Sequence, residues 1–552
     1  NLPDINWETL TASSNLSCDF LTTCFRAGTN QCVDFPTRND NVLDLILCSD
    51  RNLIYEIQSD TPFSTSDHAS IIYKMQPFTK QARNNDVKPN FTQADYALIN
   101  AFLNTLNWEE IYGNCTTAED HWKAFQNILD TIILNFVPFT SSQPNKNVPW
   151  FSDSLRRLRL IKQRRWQKYD RNRNIVSYAR YQESAKKFKS EFLLSKCNYE
   201  KRLFNEKCVD SKKFHNYVRR QNTVCSSIPC LRTADGVLST SDFEKANALS
   251  NQYASVFVND NGIFPEFNVN CNSSLDNFSC DIQSMIKIIK QLKNNSAPGP
   301  DSLTPFFLKN IVASIANPLC KLYNCFLAEG FIPNEWKVAY IIPIYKKGDP
   351  QNPANYRPVS LTSVLCKILE RIVRQQMLSY LIDNDMIPKC QHGFLSKKST
   401  VTNLLECLDN WTANFDRGHQ TEVIYLDYSK CFDTVSHPKL LYKLSKMGFG
   451  GQAYNWIESF LTDRTQKVKV GNSYSVDQKV ISGVPQGTVL GPLLFLCFSS
   501  DIVNVVKSSV ISMYADDTKL YKEITCYLDC IALQIDLNNV YKWANDWQLK
   551  LN

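Results

Sequence analysis

Val423–Asp433 reads VIYLDYSKCFD, and Ser512–Leu520 reads SMYADDTKL. In the first stretch a β-rich apolar run ends at Asp427, before a helix-like segment. In the second, Asp516 and Asp517 sit between two short β-like runs, the pattern of a tight hairpin. Laid beside the strand that ends at Asp427, such a hairpin brings Asp427 within a few ångström of Asp516. Acids converging in this way repel each other unless a divalent cation intervenes. Hard oxygen ligands with room for water and phosphate oxygens describe Mg²⁺ chemistry. Two such ions suit in-line attack of a hydroxyl on a nucleotide α-phosphate. An Asp-Asp pair alone is usually a turn or a helix cap; the two stretches together, in this order, carry the signal.

Working outward, Ser482–Phe495 reads SGVPQGTVLGPLLF, and Gln391–Thr400 reads QHGFLSKKST. Trp336–Leu361 reads WKVAYIIPIYKKGDPQNPANYRPVSL, and Ser296–Leu303 reads SAPGPDSL. With Leu426–Val435, LDYSKCFDTV, and the YADD stretch, this ordered set resembles the reverse transcriptase of non-LTR (LINE-type) retrotransposons over roughly residues 240–552. The resemblance implies an α+β polymerase hand, with an antiparallel palm sheet, helices and fingers. It also implies an RNA-directed DNA polymerase, a nucleotidyltransferase that copies element RNA from a target DNA primer using dNTPs.

Carried onto matching positions, the resemblance makes Asp427, Asp516 and Asp517 the catalytic, metal-binding triad, holding two Mg²⁺ ions, with Mn²⁺ as a possible substitute. Phe432 takes the position that packs under the incoming sugar, where a ring excludes a 2′-hydroxyl. Gln486 and Gly487 form a Pro-Gln-Gly turn whose small residue lets backbone approach the template–nucleotide pair. Lys346 and Arg357 lie on the fingers segment, where cations neutralise triphosphate charge, Arg357 through a bidentate fork. The sequence departs from the family at Cys431, where a small residue is usual, and at Phe498–Asp501; neither is expected to touch the acids. The rest of the palm and the thumb are expected beyond Asn552, with weak primer–template grip as the consequence.

Upstream of the polymerase stretch, residues 151–220 hold 21 Lys/Arg against seven acids, although the whole chain is only +7. Such a block condenses on polyanions. Arg156, Arg157, Arg164, Arg165, Lys186 and Lys187 are its nucleic-acid candidates. The interleaved Trp166, Tyr169, Tyr178, Tyr181, Phe188 and Tyr199 suit either base stacking or a packing stripe. Residues 1–76 read as short strands and loops, with β-rich runs at Val42–Leu47 and Ala69–Tyr73. They resemble the C-terminal strands of the apurinic-endonuclease-like domain that precedes such polymerases, a partial α/β sandwich. That likeness implies roles for Asn1, Asp44, Asp67 and His68, with Asp44 polarising His68. The acids that would complete this nuclease site are absent from the chain, so no nicking is expected from it. The division expected is 1–76 endonuclease remnant, 77–239 helical linker with its basic segment, and 240–552 fingers and palm.

Composition agrees with a folded enzyme. Of 552 residues, 43% are hydrophobic and 21% charged, which excludes a mostly disordered chain. No run of consecutive apolar residues reaches membrane-spanning length, and the cysteine spacing gives no zinc knuckle. An intracellular setting, nucleus and cytoplasm, follows from the family, with no membrane partner. Two rivals stay open at this point: an RNA-templated RNA polymerase or intron maturase, and a non-catalytic nucleic-acid-binding relic. Phe432 opposes the first and the intact YADD the second.

Overall fold

The computed structural model describes residues 4–7, 9–38, 41–48, 51–60, 68–75, 87–141, 150–172, 174–205, 214–215, 217–218, 228–233, 235–269, 273–294 and 296–552. Asn1 and Asp67 therefore lie outside the described residues. The chain divides into two compact units: residues 1–77, 89–140 and 227–552, and residues 78–88 and 141–226.

The larger unit is organised around one apolar helix, Pro305–Glu329. Thr304 opens it by accepting the amide of Phe307, Pro305 supplies a preset φ, and Gly330 closes it at φ +65°. Ile311, Ile315, Leu319 and Tyr323 on this helix have no exposed surface. It is long and apolar enough to cross a membrane, but most of it is buried in the unit. The run-based sequence reading passed over it because polar residues interrupt the apolar ones. Tyr323 donates its hydroxyl to the carbonyl of Leu365 (2.8 Å), tying this spine to the neighbouring helix Val364–Asp383.

Two sheets flank this core. One runs Gln420–Leu426, Asp517–Ile524, Val510–Tyr514, all antiparallel, as the resemblance implies for a palm. Its central strand buries Thr518 and Leu520, on the alternation that a half-covered sheet requires. The helix Thr400–Asp416 packs on it, where Asn403 donates to Ser512 Oγ (2.7 Å) and accepts from Lys519 Nζ (2.6 Å). The other sheet is mixed. Val338–Tyr345 pairs antiparallel with Tyr356–Leu361 and parallel with Thr465–Val470.

Glu370, fully buried on Val364–Asp383, caps the Pro-Gln-Gly segment from behind. Its Oε2 accepts the amides of Val489 (2.6 Å) and Leu490 (3.1 Å), just before the helix Gly491–Ser499. A buried carboxylate thus satisfies two amides that the helix start leaves without carbonyl partners.

Several expectations need correction. Residues 15–26 form a helix, Asn15–Arg26, capped by Ser14, in a stretch read as strands and loops. The Val42–Leu47 run is not a strand; only Leu47–Cys48 pairs, with Asn30–Gln31. Residues 240–295, whose pattern reads as helical, hold two helices, Asp242–Ala254 and Ile282–Gln291. Between them, Phe267 and Phe278 are buried. In the second unit, the basic stretch is two helices packed against each other, Asp153–Asn172 and Ile175–Asn205.

Candidate active site

The register of the palm sheet ends at Leu426↔Thr518 and Tyr514↔Asp517. One further step along the antiparallel ladder sets Asp427 opposite Asp517, with Asp516 in the hairpin turn beside them. Asp427 and Asp516 line one cavity of about 550 Å³, together with Lys346, Arg357, Phe432, Asp433, Gln486 and Gly487. Residues 346 to 516 thus converge on one pocket.

Asp517 is exposed and does not line that cavity. Burial, reinforced by the neighbouring Asp516 and Asp427 carboxylates, pushes its carboxyl up; Lys519 opposes the shift. Asp517 therefore feels the other two acids across the end of the sheet. Among the described residues, no group of three or more His, Cys, Asp or Glu side chains forms a ready-made metal cage. Two carboxylates open to this cavity are the donor set that fits Mg²⁺, which binds through one or two carboxylates, waters and substrate phosphates. Asp427 Oδ2 also accepts from Asn552 Nδ2 (2.7 Å), and the Asn552 amide bonds the Asp427 carbonyl (2.9 Å).

Cys431 departs from expectation, because its Sγ lies 3.2 Å from Asp516 Oδ2, as a thiol donor to that carboxylate. Burial and this carboxylate both push the thiol's pKa upward, so it stays protonated. Phe432 stacks on Phe495, ring centroids 4.5 Å apart, and meets Phe394 edge-on at 6.1 Å. Its position is therefore set by two other rings. Gly487 adopts φ +114°, and a Cβ there would come within 2.5 Å of the Ser360 carbonyl oxygen. The adjacent strand explains the glycine, and Gln486 is held from the same strand: the Ser360 amide donates to its carbonyl (2.7 Å).

Sequence reasoning missed three residues. Gln391 reaches the strained turn: Ala515 takes φ +59°, where glycine is favoured, and donates its amide to Gln391 Oε1 (2.8 Å). Gln391 Nε2 bonds the Ala515 carbonyl (3.3 Å), so one side chain clamps both sides of the residue before Asp516. The Gln-His-Gly stretch stands out in the sequence, but nothing local says that its glutamine faces the hairpin. Tyr253, 5% exposed, lines the cavity with its hydroxyl unpartnered. Asp433, recessed in the cavity wall, accepts from Gln486 Nε2 (3.4 Å). Burial pushes its carboxyl up to about 6, against the pull of Lys430, Gln486 and Arg357.

A raised folded-state pKa penalises the carboxylate. The penalty is absent below about pH 4, grows through pH 4–6, and is complete above. Asp433→Asn, which keeps the oxygen facing Gln486, is expected to stabilise the protein by about 1–3 kcal/mol at pH 7.5 and by nothing near pH 3.5. Urea unfolding at the two pH values checks this; a pH-independent effect would refute it.

At the N-terminal end, His68 Nδ1 lies 2.6 Å from Asp44 Oδ2, the pairing the resemblance implied. The hydrogen bond to His68 lowers the Asp44 carboxyl, against burial. Arg165 points into the helical hairpin of the second unit, bonding the Arg180 carbonyl (2.9 Å) and Glu183 (3.2 Å). Arg156 pairs with Asp153 (2.8 Å), while Arg157, Arg164, Lys186 and Lys187 are exposed.

Residues 344–552 match the family model described as reverse transcriptase (RNA-dependent DNA polymerase). This part of the chain is a reverse transcriptase domain. The chain is 32% identical over 280 residues to a protein named probable RNA-directed DNA polymerase from transposon BS of Drosophila melanogaster, covering 49% of this chain and 31% of that protein. It is also 32% identical over 280 residues to the RNA-directed DNA polymerase from mobile element jockey of the same species, covering 49% and 30%. A third relative, the Pol polyprotein from type-1 retrotransposable element R2 of Popillia japonica, is 30% identical over 216 residues, covering 39% and 29%. The relatives of this domain are thus polymerases of non-LTR retrotransposons, and the chain spans about three-tenths of their length.

Proposed function

We propose that the chain is the polymerase part of a LINE-type retrotransposon protein, adding dNTPs to a target DNA 3′ end along an RNA template. The observation that carries this reading is the joint lining of one cavity by Asp427, Asp516, Arg357, Lys346, Phe432 and Gln486. Carboxylates on one wall and cations on another are what phosphoryl chemistry on a triphosphate needs.

Reverse transcriptases generally use divalent metal ions, and here Asp427 and Asp516 would hold them, with Asp517 adding charge at the sheet edge. Such ions, when bound, ease ionisation of the primer hydroxyl and neutralise the departing pyrophosphate. The protein's own share is positioning. Arg357 and Lys346 draw the triphosphate into the cavity by charge. Phe432, held by Phe495 and Phe394, presents a rigid edge to the sugar. Gln486, held by Asp433 and the Ser360 strand, fixes the far wall. Much of the acceleration then comes from holding hydroxyl and α-phosphate in line.

The test is primer extension on an RNA template, with protein in excess over primer–template so that weak grip does not limit the reaction. Addition of dNTPs, abolished by chelation, supports the reading. Preferential addition of rNTPs would replace it with an RNA polymerase, and duplex binding without any addition would leave a relic. Phe432→Ala is expected to narrow the dNTP/rNTP preference by about 10-fold or more, the scale of 1–3 kcal/mol that one steric contact contributes. Unchanged discrimination would remove the ring from that role.

For residues 1–76, the Asp44–His68 pair supports the endonuclease-remnant reading, in which Asn1 and Asp67 take part. The division into remnant, linker and polymerase is proposed on the same footing.

A further inference from the structure

The basic unit resolves a choice that composition leaves open. Proteins that track single strands combine a positively charged groove with aromatic faces for the bases. In the hairpin Asp153–Asn172/Ile175–Asn205, four rings pack on one another along the helix seam, with Trp166 43% and Tyr178 40% exposed. Trp166 meets Tyr169 at 5.5 Å, Tyr169 meets Tyr178 at 5.0 Å, Tyr178 meets Tyr181 at 6.2 Å, and Tyr181 returns to Trp166 at 4.9 Å. This closed quartet bridges the two helices.

The charges lie elsewhere. At 100° per residue, Leu155, Leu158, Arg165, Trp166 and Tyr169 share the side of the first helix that faces the second. Arg157, Arg164, Lys168 and Arg171 fall within about 60° of one another on the outward side. All four are exposed. From Arg157 to Arg171 the row takes 14 residue steps, about 21 Å of straight helix at 1.5 Å per residue. A convex rod with its cations in one straight row matches a stiff polyanion rather than a flexible strand in need of a groove.

We propose that this helix row docks a nucleic-acid duplex through its phosphates, without base stacking. The inference rests on the nucleic-acid reading of the chain and names the form of the ligand. DNA duplexes and RNA–DNA hybrids share this chemistry, and the test separates them.

The experiment uses the full chain and compares wild type with the quadruple variant R157Q/R164Q/K168Q/R171Q. Fluorescence anisotropy follows three probes across a salt series: a 24-base-pair blunt DNA duplex, an RNA–DNA hybrid of equal length, and single-stranded oligo-dT of 24 nucleotides. The expected result is at least about tenfold weaker duplex binding at 0.15 M salt, with the log–log salt slope shallower by roughly 3–4, one unit per lost phosphate contact. Oligo-dT affinity should change by less than about threefold, against that tenfold duplex loss. The probe that loses more, DNA duplex or hybrid, identifies the source. Equal weakening on oligo-dT would overturn duplex selectivity, and an unchanged duplex slope would overturn the site altogether. Wild-type primer extension, run in parallel, keeps failure of the polymerase reading distinct from failure of this one.

Discussion

Asp516→Asn is expected to abolish primer extension, by about 10³-fold or more, while duplex affinity stays within about threefold of wild type. The substitution is nearly isosteric and removes one negative charge from a cavity that also receives Asp427. The turn that presents Asp516 is held by the Gln391 side chain on the Ala515 backbone, not by the Asp516 side chain. Its geometry should therefore survive, and the loss should fall on catalysis alone. The thiol of Cys431 remains to face the new amide. Single-turnover extension paired with anisotropy on the same primer–template separates the two effects. Retained extension would remove Asp516 from the centre, and parallel loss of binding would show that the residue is structural.

The largest effect on stability is expected at Lys443. This side chain has no exposed surface and donates to Asp501 Oδ1 and to the Phe498 carbonyl, both at 2.5 Å. Its ammonium lies 3.5 Å from the Trp547 ring centroid, with Phe498, Phe267 and Trp543 at 4.9–5.3 Å. Burial lowers its pKa to about 8, and Asp501 pulls it back up. Lys443→Met removes the cation and leaves Asp501 buried without a partner, at an expected cost of about 3–5 kcal/mol. Lys443→Met combined with Asp501→Leu should recover at least half of that loss, because the stranded charge is gone. Urea unfolding of the two single variants and the double variant measures the coupling. Additive losses would show that the pair contributes no interaction of its own.

Phe498–Asp501 had been read as a departure without bearing on the acids, and it turns out to be half of this box. The sequence shows an Asp at 501 and a Lys at 443, but nothing local says that 58 residues apart they share a cavity of four rings. The same holds for Tyr253, which reads as an ordinary helical aromatic and ends beside the nucleotide cavity. Arg165 illustrates the reverse. Composition placed it among the nucleic-acid cations, whereas helix packing turned it inward onto Glu183. Its neighbour Arg164, one step of 100° away, stays in solvent.

What residue order determined by itself was the chemistry and its local frame. The acids at 427, 516 and 517, the ring at 432, the Gln-Gly turn, and most polymerase-region helices and strands follow from short-range signals. Side-chain period, caps and turn residues act over a few positions, and a linear string records them. What only the tertiary structure decided was which of these groups meet. It set Asp427 and Asp516 on the cavity and left Asp517 at its edge. It attached Gln391 to the hairpin turn, and it packed the aromatic quartet on the side of the helix opposite the basic row. Those outcomes depend on strand register and helix rotation, fixed by packing among residues distant in the chain. A rotation of one residue is enough to exchange a buried side chain for an exposed one.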